Sequence, residues 1–327
     1  MLGGLALLRR WRARRGDGPR PNLVMGANVQ VVWEKFCRYW DVEPRFVPVG
    51  GGTTHLAADR AAAHCDEDTI GVVAILGSTF DGTYEPVADI AAALDGLDGL
   101  DVPIHVDAAS GGFIAPFLEP QLAWDFRVGR VQSINASGHK FGLVFPGVGW
   151  VVFRDADALP RELVFDVDYL GGHMPTYGLN FSRPAAQVIA QYYTLVRLGR
   201  DGFRRVQQDC RDVAGWLASE IEGLGEFTLL SRGDELPVLA FARAGAGDDW
   251  SVYDVSERLR VFGWIVPAYP MPTGMEDVHV LRVVVRNGFT RDMARLLADD
   301  LRRVLHRLCE AGGDAVGMGG ARTGFHH

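Results

Sequence analysis

Two polar residues stand where apolar, strand-like runs pass into loops. Asp107 follows Ile104-His105-Val106, and Lys140 follows the strand pattern of residues 131–135. Open α/β sheets bind their ligands at the carboxyl ends of parallel strands, so both side chains are candidates for one site. Lys140 comes directly after His139 in a loop flanked by glycines and apolar residues, a setting that desolvates the ammonium and lowers its pKa. An amine of this kind is a nucleophile that forms imines with aldehydes.

An imine-forming lysine and a carboxylate are together what pyridoxal 5'-phosphate (PLP) requires. The lysine holds the aldehyde, and the carboxylate keeps the pyridine nitrogen protonated so that the ring can take up an electron pair from the substrate. Hydroxyl and backbone N–H groups must hold the phosphate. We therefore predict a PLP site built on Lys140 and Asp107, and no metal site.

The elements that position these two residues are predicted to form a parallel α/β unit. Residues 71–76 are a continuous apolar run, residues 87–97 have helical spacing, and residues 104–106 form the next strand. Continuous apolar strands that alternate with helices are typical of a parallel sheet covered on both faces. The other elements predicted here are helices over 1–15 and 30–39, and strands over 22–25, 131–135 and 148–153.

The second half of the chain has a different pattern. A helix is predicted to begin at Pro184, where proline is tolerated in the first turn, and to run to about Leu224 with a kink near Gly202. Strands and helices then follow without strict alternation, which favours a smaller α+β domain. The predicted strands are 227–230, 238–241, 264–266 and 278–285, and the predicted helices are 252–262 and 291–309. We expect a large domain over 1–182, connecting helices over 183–225, a small domain over 226–311 and a flexible tail over 312–327.

Composition narrows the classes of function. The net charge of −8 argues against a nucleic-acid-binding face, which would be basic. No stretch approaches the roughly 20 apolar residues that span a bilayer. The four cysteines are scattered without Cys-x-x-Cys spacing, so neither a disulfide framework nor a zinc site is predicted, and a cytoplasmic setting fits best.

Three segments, read in order, resemble bacterial and plant glutamate decarboxylase of the group II PLP-dependent amino-acid decarboxylases. They are HVDAASGGF (105–113), SINASGHKFG (133–142) and NFSRP (180–184), and the likeness runs from about residue 1 to residue 289. The resemblance implies the PLP-dependent transferase-like fold of the aspartate aminotransferase type (fold type I). It also implies conversion of L-glutamate to 4-aminobutanoate and CO2 by a homo-oligomer built from dimers.

The same resemblance gives roles to residues around the cofactor. Lys140 matches the Schiff-base lysine, and Asp107 matches the partner of the pyridine nitrogen. Ala109 places a small side chain near the ring, Thr79 contacts the cofactor, and His139 lies beside the phosphate.

Four further residues are implied to complete the site. Ser182 resembles a serine that reaches the phosphate of the neighbouring subunit, and Gln30 resembles a side chain that stacks on the ring. Arg282 matches the arginine that binds the substrate α-carboxylate, and Tyr169 lies in a mobile loop that closes over the site. Purely local roles stay open for Asp107, Thr79 and Ser182 as turn residues, for Gln30 as a helix-face residue and for Tyr169 as a loop anchor.

The chain departs from the family pattern near its N-terminal end. It begins after the segment that carries a Gly-Ser-Ser-Glu-Ala phosphate-binding loop in the family, so we expect a fragment of a longer protein or a truncated relative that holds PLP weakly. A PLP decarboxylase for another amino acid and a non-enzymatic remnant therefore stay open as alternatives. His326 and His327 resemble a terminal histidine that folds over the cofactor at neutral pH, and a disordered end is the alternative.

Overall fold

Six strands form the main sheet of the structure, a computed structural model that describes residues 1–16, 20–169, 171–245 and 249–311. The strands are β1 (Asn22–Gly26), β2 (Glu43–Val47), β3 (Thr69–Ile75), β4 (Ile104–Asp107), β5 (Val131–Ser137) and β6 (Gly149–Phe153). Their order is β2-β1-β3-β4-β5-β6, in which the first five run parallel and β6 pairs antiparallel with β5. The predicted parallel α/β sheet is confirmed, with β6 as an antiparallel edge that the sequence pattern did not reveal.

Helices cover both faces of this sheet. They are α1 (Leu2–Arg15), α2 (Val31–Tyr39), α3 (Ala58–Ala63), α4 (Val87–Asp95) and the single turn α5 (Ala115–Leu118). Side chains alternate along a strand, so Leu23 and Met25 of β1 pack in one core with α1 and α2. Val24 points to the opposite core, which it shares with α3 and α4. Continuous apolar strands arise because each of them is buried on two sides.

A long helix, α6 (Ala186–Glu222), connects the main sheet to the second half of the chain. It begins at Ala186 rather than Pro184, and its helical path breaks at Gly199 rather than near Gly202. Gly199 has a φ of 57°, a conformation that glycine adopts easily because it has no Cβ.

The second half forms a smaller antiparallel sheet with two helices. Its elements are β9 (Phe227–Arg232), β10 (Val238–Arg243), α7 (Val252–Leu259), β11 (Ala268–Pro270), β12 (His279–Val284) and α8 (Arg291–Ala311), while a hairpin of β7 (Phe165–Val167) and β8 (Met174–Thr176) precedes α6. The strand order is β11-β12-β10-β9. The strand predicted over 264–266 is wrong, because Trp264 is tied to α8 through a 2.9 Å hydrogen bond to Asp300 and the paired strand begins only at Ala268. The helix predicted over 252–262 ends as an α-helix at Leu259 and continues as a 3-10 turn.

The domain boundaries proposed from the sequence remain predictions, and the tail over 312–327 with His326 and His327 lies outside the described residues. Among the residues that the structure describes, no helix is both long and apolar enough to cross a membrane. Within the same ranges, no group of three or more His, Cys, Asp or Glu side chains is arranged to hold a metal ion.

Candidate active site

Asp107 lies at the carboxyl end of β4, only 7% exposed, and three N–H groups point at its carboxylate. Oδ2 accepts from Trp33 Nε1 at 2.8 Å, and Oδ1 accepts from Asn135 Nδ2 at 2.9 Å and from the backbone nitrogen of Ala109 at 3.2 Å. Burial alone would raise the pKa of Asp107, but the hydrogen bonds from Trp33 and Asn135 and the positive charge of Lys140 help to hold that pKa below its ordinary value. Asp107 is therefore a carboxylate at neutral pH.

One acceptor position of this carboxylate is left unused. Each carboxylate oxygen can accept about two hydrogen bonds, and Oδ1 of Asp107 already accepts two while Oδ2 accepts one. No donor from the described residues takes the second position on Oδ2. A protonated ring nitrogen is a single N–H donor, which matches this count of one unused acceptor position.

Lys140 lies in the loop that follows β5, the lysine loop (138–142), and its Nζ donates to Ser110 Oγ at 3.2 Å. Ser110 belongs to the turn after β4, so this hydrogen bond joins the two strand ends that carry Asp107 and Lys140. Burial lowers the pKa of Lys140 most, and the charge of Arg282 lowers it further against the opposing charge of Asp107. The side chain is still partly open to solvent. Its amine therefore loses a proton more readily than that of a free lysine and can be reached by a ligand.

Two glutamines of α6 hold the backbone of the lysine loop. Gln191 Nε2 donates to the carbonyl of Gly142, and Gln207 Nε2 donates to the carbonyl of Phe141, each at 2.8 Å. Both glutamines are 0% exposed. A Cβ at Gly138 would lie 2.4 Å from Gln191 Oε1, so no larger residue fits there without displacing the glutamine. The close approach of α6 thus explains why glycines flank the lysine.

The turn after β3 that carries Thr79 is held by the smaller sheet. Arg282 of β12 donates to the carbonyl oxygen of Thr79, and the Tyr269 hydroxyl donates to the carbonyl oxygen of Phe80. The guanidinium of Arg282 also lies over the Tyr269 ring, 5.5 Å from its centroid. Arg282 Nε has no hydrogen-bond partner among the described residues. The positive charge of Arg282 therefore lies close enough to Lys140 to lower its pKa.

The remaining predicted site residues are not tied to this group by any described contact, and their roles stay predictions. His139, Tyr169 and Ser182 are exposed. Gln30 has a local role, because its Oε1 accepts from the backbone N–H of Val32 at 2.7 Å and caps α2. Of the predicted residues, the structure brings together Asp107, Ala109, Lys140, Arg282 and the backbone of Thr79.

Sequence reasoning missed several residues that contact Asp107, Lys140 or the lysine loop. Ser110 and Asn135 lie at the same strand ends as Asp107 and Lys140, a position that the predicted sheet could have indicated. Trp33 could not be found in this way, because 74 residues separate it from Asp107. Gln191 and Gln207 lie 49 and 66 residues from the carbonyls that they bind.

The fold and the paired lysine and carboxylate define a PLP-dependent enzyme of fold type I. Residues 4–243 match the family model described as the pyridoxal-dependent decarboxylase conserved domain, and the chain belongs to this family. PLP is accordingly its cofactor.

Glutamate decarboxylases are among its relatives, which confirms the resemblance read from the sequence. The chain is 50% identical over 311 residues to glutamate decarboxylase of Aliivibrio fischeri, covering 92% of this chain and 67% of that one. It is 48% identical over 315 residues to glutamate decarboxylase of Petunia hybrida, covering 94% and 63%. The structure of Lactobacillus brevis glutamate decarboxylase matches with a TM-score of 0.89 and 46% identity, covering 94% and 72%. The chain thus spans about two thirds of the length of the curated relatives that it matches.

Proposed function

We propose that this chain decarboxylates L-glutamate to 4-aminobutanoate and CO2 with PLP. The observation that carries the proposal is an ionised, buried Asp107 with one unused acceptor position, joined through the Ser110 turn to a lysine of lowered pKa. The choice of glutamate rests on the relatives, which are 48% and 50% identical to this chain and are named glutamate decarboxylases.

Each residue of the group has a distinct task in this reaction. When bound, PLP supplies an electron-poor ring that takes up the electron pair released as the α-carboxylate leaves as CO2. Asp107 keeps the ring nitrogen protonated through the free position on Oδ2. Lys140 provides the amine that attaches the cofactor, and Ser110 Oγ fixes the direction of Nζ. Arg282, whose guanidinium lies at the turn that carries Thr79, binds and orients the substrate α-carboxylate.

The test is formation of 4-aminobutanoate and CO2 from L-glutamate by the purified protein in the presence of PLP. L-Aspartate, L-tyrosine and L-tryptophan are offered separately as alternative substrates. We expect a preference for L-glutamate that disappears in Lys140→Ala. A clear preference for one of the other amino acids would contradict the choice of substrate, and failure to bind PLP even when it is supplied in large excess would contradict the proposal as a whole.

We further propose that the chain forms a homo-oligomer built from dimers through exposed apolar side chains on α6 and on the segments that precede it, which we call the aromatic belt. The belt consists of Phe145, Phe165, Tyr169, Phe181, Ile189, Tyr192, Tyr193 and Val196, each at least 59% exposed. The last four are spaced i, i+3, i+4 and i+7 and so share one face of α6. Monomeric proteins rarely leave apolar patches of this kind uncovered. Ser182 follows Phe181 directly, so a second copy seated on the belt would come close to Ser182, as its predicted role requires.

Sedimentation of the purified protein tests this assembly. We expect a dimer or a multiple of it, and we expect the double variant Ile189→Glu/Tyr192→Glu to shift the protein towards monomer. Val261→Glu is the matched control. Val261 is 81% exposed but lies in the turn after α7, in the second half of the chain and outside the aromatic belt. A wild-type monomer at micromolar concentration would refute the proposed interface.

A cytoplasmic location is also proposed. All four cysteines are free thiols, and reducing compartments maintain thiols in this state. Fractionation of cells that express the protein, followed by immunodetection, tests the location, and recovery outside the cytoplasm would contradict it.

A further inference from the structure

A buried histidine lies behind Asp107 in a chain of hydrogen bonds. His105 is 1% exposed; its Nδ1 lies 2.7 Å from Ser133 Oγ and its Nε2 lies 2.7 Å from Asn135 Oδ1. Asn135 Nδ2 in turn donates to Asp107 Oδ1 at 2.9 Å. The chain therefore runs from Ser133 through the imidazole and the amide to the carboxylate.

The charge of the Asp107 carboxylate determines the donor and the acceptor in every hydrogen bond of this series. An ionised carboxylate only accepts, so Asn135 must turn its NH2 group towards Asp107 and its Oδ1 towards His105. Oδ1 then needs a donor, which requires the proton of His105 to be on Nε2. A neutral imidazole has a single N–H, so Nδ1 is the acceptor of the Ser133 hydroxyl. Burial lowers the pKa of His105 to about 4 against the opposing charge of Asp107, which keeps the ring neutral near pH 7.

We propose that Ser133, His105 and Asn135 form a positioning relay for Asp107, in which the Nε2–H tautomer of His105 fixes the amide of Asn135 so that its N–H meets the carboxylate. The relay deepens the proposed function, since it acts on the residue that would hold the ring nitrogen. His105 is a positioning residue, because it contacts neither the free position on Oδ2 nor Lys140 in any described contact.

The opposite side of the carboxylate also depends on this histidine. The Trp33 ring meets the His105 ring edge-on, with 5.0 Å between the centroids, and Trp33 Nε1 donates to Oδ2. Loss of the imidazole would remove the donor that orients Asn135 and the surface on which Trp33 rests. Both side-chain donors to Asp107 would then be free to move, and its negative charge would be held less firmly.

The tautomer can be measured without substrate or cofactor. In ¹⁵N-histidine spectra of the purified protein, we expect His105 to show a protonated Nε2 and an unprotonated Nδ1 near neutral pH. A protonated Nδ1 with a bare Nε2, or a ring protonated on both nitrogens, would overturn the relay. This readout needs no turnover and is therefore independent of the proposed reaction. If the expected tautomer is found but the protein does not decarboxylate glutamate, the proposed reaction is refuted and the relay is not.

Two substitutions then test whether the relay acts on Asp107. His105→Leu fills much of the space without a polar atom, whereas His105→Gln keeps one donor and one acceptor. We expect His105→Leu to lower kcat by about 10- to 100-fold with little change in KM, since a hydrogen bond to a charged group is weakened. We expect His105→Gln to recover most of kcat.

The carboxyl ¹³C signal of Asp107, followed with pH in the protein without cofactor, should titrate at higher pH in His105→Leu than in the wild type. His306→Gln, on the exposed face of α8, is the control and should change neither kcat nor the titration. Unchanged kcat and unchanged Asp107 titration in a folded His105→Leu protein would overturn the proposal. If His105→Leu does not fold, His105→Gln and the wild-type tautomer still decide it.

Discussion

Replacing Asp107 with asparagine tests whether the site needs a carboxylate, because asparagine has fewer acceptors than the surrounding N–H groups require. Asparagine has one acceptor oxygen and one NH2 donor, but the protein points two N–H groups, from Asn135 and Ala109, at Oδ1 and one, from Trp33, at Oδ2. The less costly orientation keeps the amide oxygen at the Oδ1 position and turns the NH2 group towards Trp33. That orientation also places a donor where the ring nitrogen is proposed to bind.

The expected effects differ in size for stability and for catalysis. One hydrogen bond to a charged acceptor is lost and two donors face each other, which should lower the free energy of unfolding by about 1–3 kcal/mol. Turnover should fall by several orders of magnitude, because a donor opposite the ring nitrogen cannot keep that nitrogen protonated. Chemical denaturation measures the first effect, and the rate of 4-aminobutanoate formation measures the second.

A matched control separates these effects from a general response to losing a carboxylate. Asp101→Asn changes a side chain that is 84% exposed in the loop before β4, and it should leave turnover unchanged. Near-normal turnover of a PLP-loaded Asp107→Asn protein would refute the role given to Asp107 and to the free position on Oδ2.

Three more predictions concern the lysine, the helix that holds its loop and a buried carboxyl. Lys35 and Lys140 are the only lysines in the sequence. Borohydride reduction with PLP should therefore label Lys140 in the wild type and in Lys35→Ala but label no lysine in Lys140→Ala, and a label on Lys35 would contradict the assignment. Gln207→Leu leaves a buried carbonyl without its donor and should lower the free energy of unfolding by about 1–3 kcal/mol. The control Gln208→Leu changes the exposed neighbouring residue and should lower the free energy of unfolding by less than about 0.5 kcal/mol. Equal losses in chemical denaturation would argue that Gln207 does not hold the lysine loop. Burial raises the pKa of Glu85 from 4.5 to about 7, so its contribution to stability is complete below pH 4.5 and is lost as the pH rises through about 7. Relative to Glu85→Gln, the wild type should therefore be more stable at about pH 5 than at about pH 8, and the opposite trend would refute the burial argument.

The sequence predicts the central strands well and the edge strands poorly, for a physical reason. β3 and β4 are buried along their whole length and therefore appear as continuous apolar runs. β2 was not predicted, because it alternates between half-buried and exposed residues and contains Pro44, a residue that sheets accept only at an edge. β11 also lies at an edge and ends in Pro270.

The kink in α6 was predicted three residues from its true position because two glycines are available there. A Cβ at Gly202 would lie 2.8 Å from the Cβ of Leu198 in the preceding turn, so that glycine relieves crowding, while Gly199 takes the positive φ. Composition alone identifies a weak point in the helix but does not distinguish these two reasons for a glycine.

Some residues of the site can be placed from the local sequence pattern, whereas others are identified only in the folded structure. Asp107 and Lys140 can be placed together because each follows a strand of one parallel sheet. The donors from Trp33 and Gln207 depend on which face a helix presents after folding, and they come from 74 and 66 residues away. Asn135 could be placed at the same sheet edge from the sequence, but the direction of its amide follows only from its hydrogen bond to the charged Asp107 in the folded protein.

The turn that carries Thr79 explains why the smaller sheet belongs to the site. Gly77 and Gly82, with φ of 102° and 87°, bracket this turn, and a Cβ on either would lie 2.5 Å from Leu236 or 2.8 Å from Val238. The turn therefore takes its shape against the smaller sheet, which also supplies Arg282 to the Thr79 carbonyl. A shift of this sheet would move the proposed cofactor contact and the proposed carboxylate-binding arginine together. We therefore expect a substitution that loosens this interface to weaken the affinities for PLP and for L-glutamate in parallel, and equilibrium binding of each ligand measures this effect.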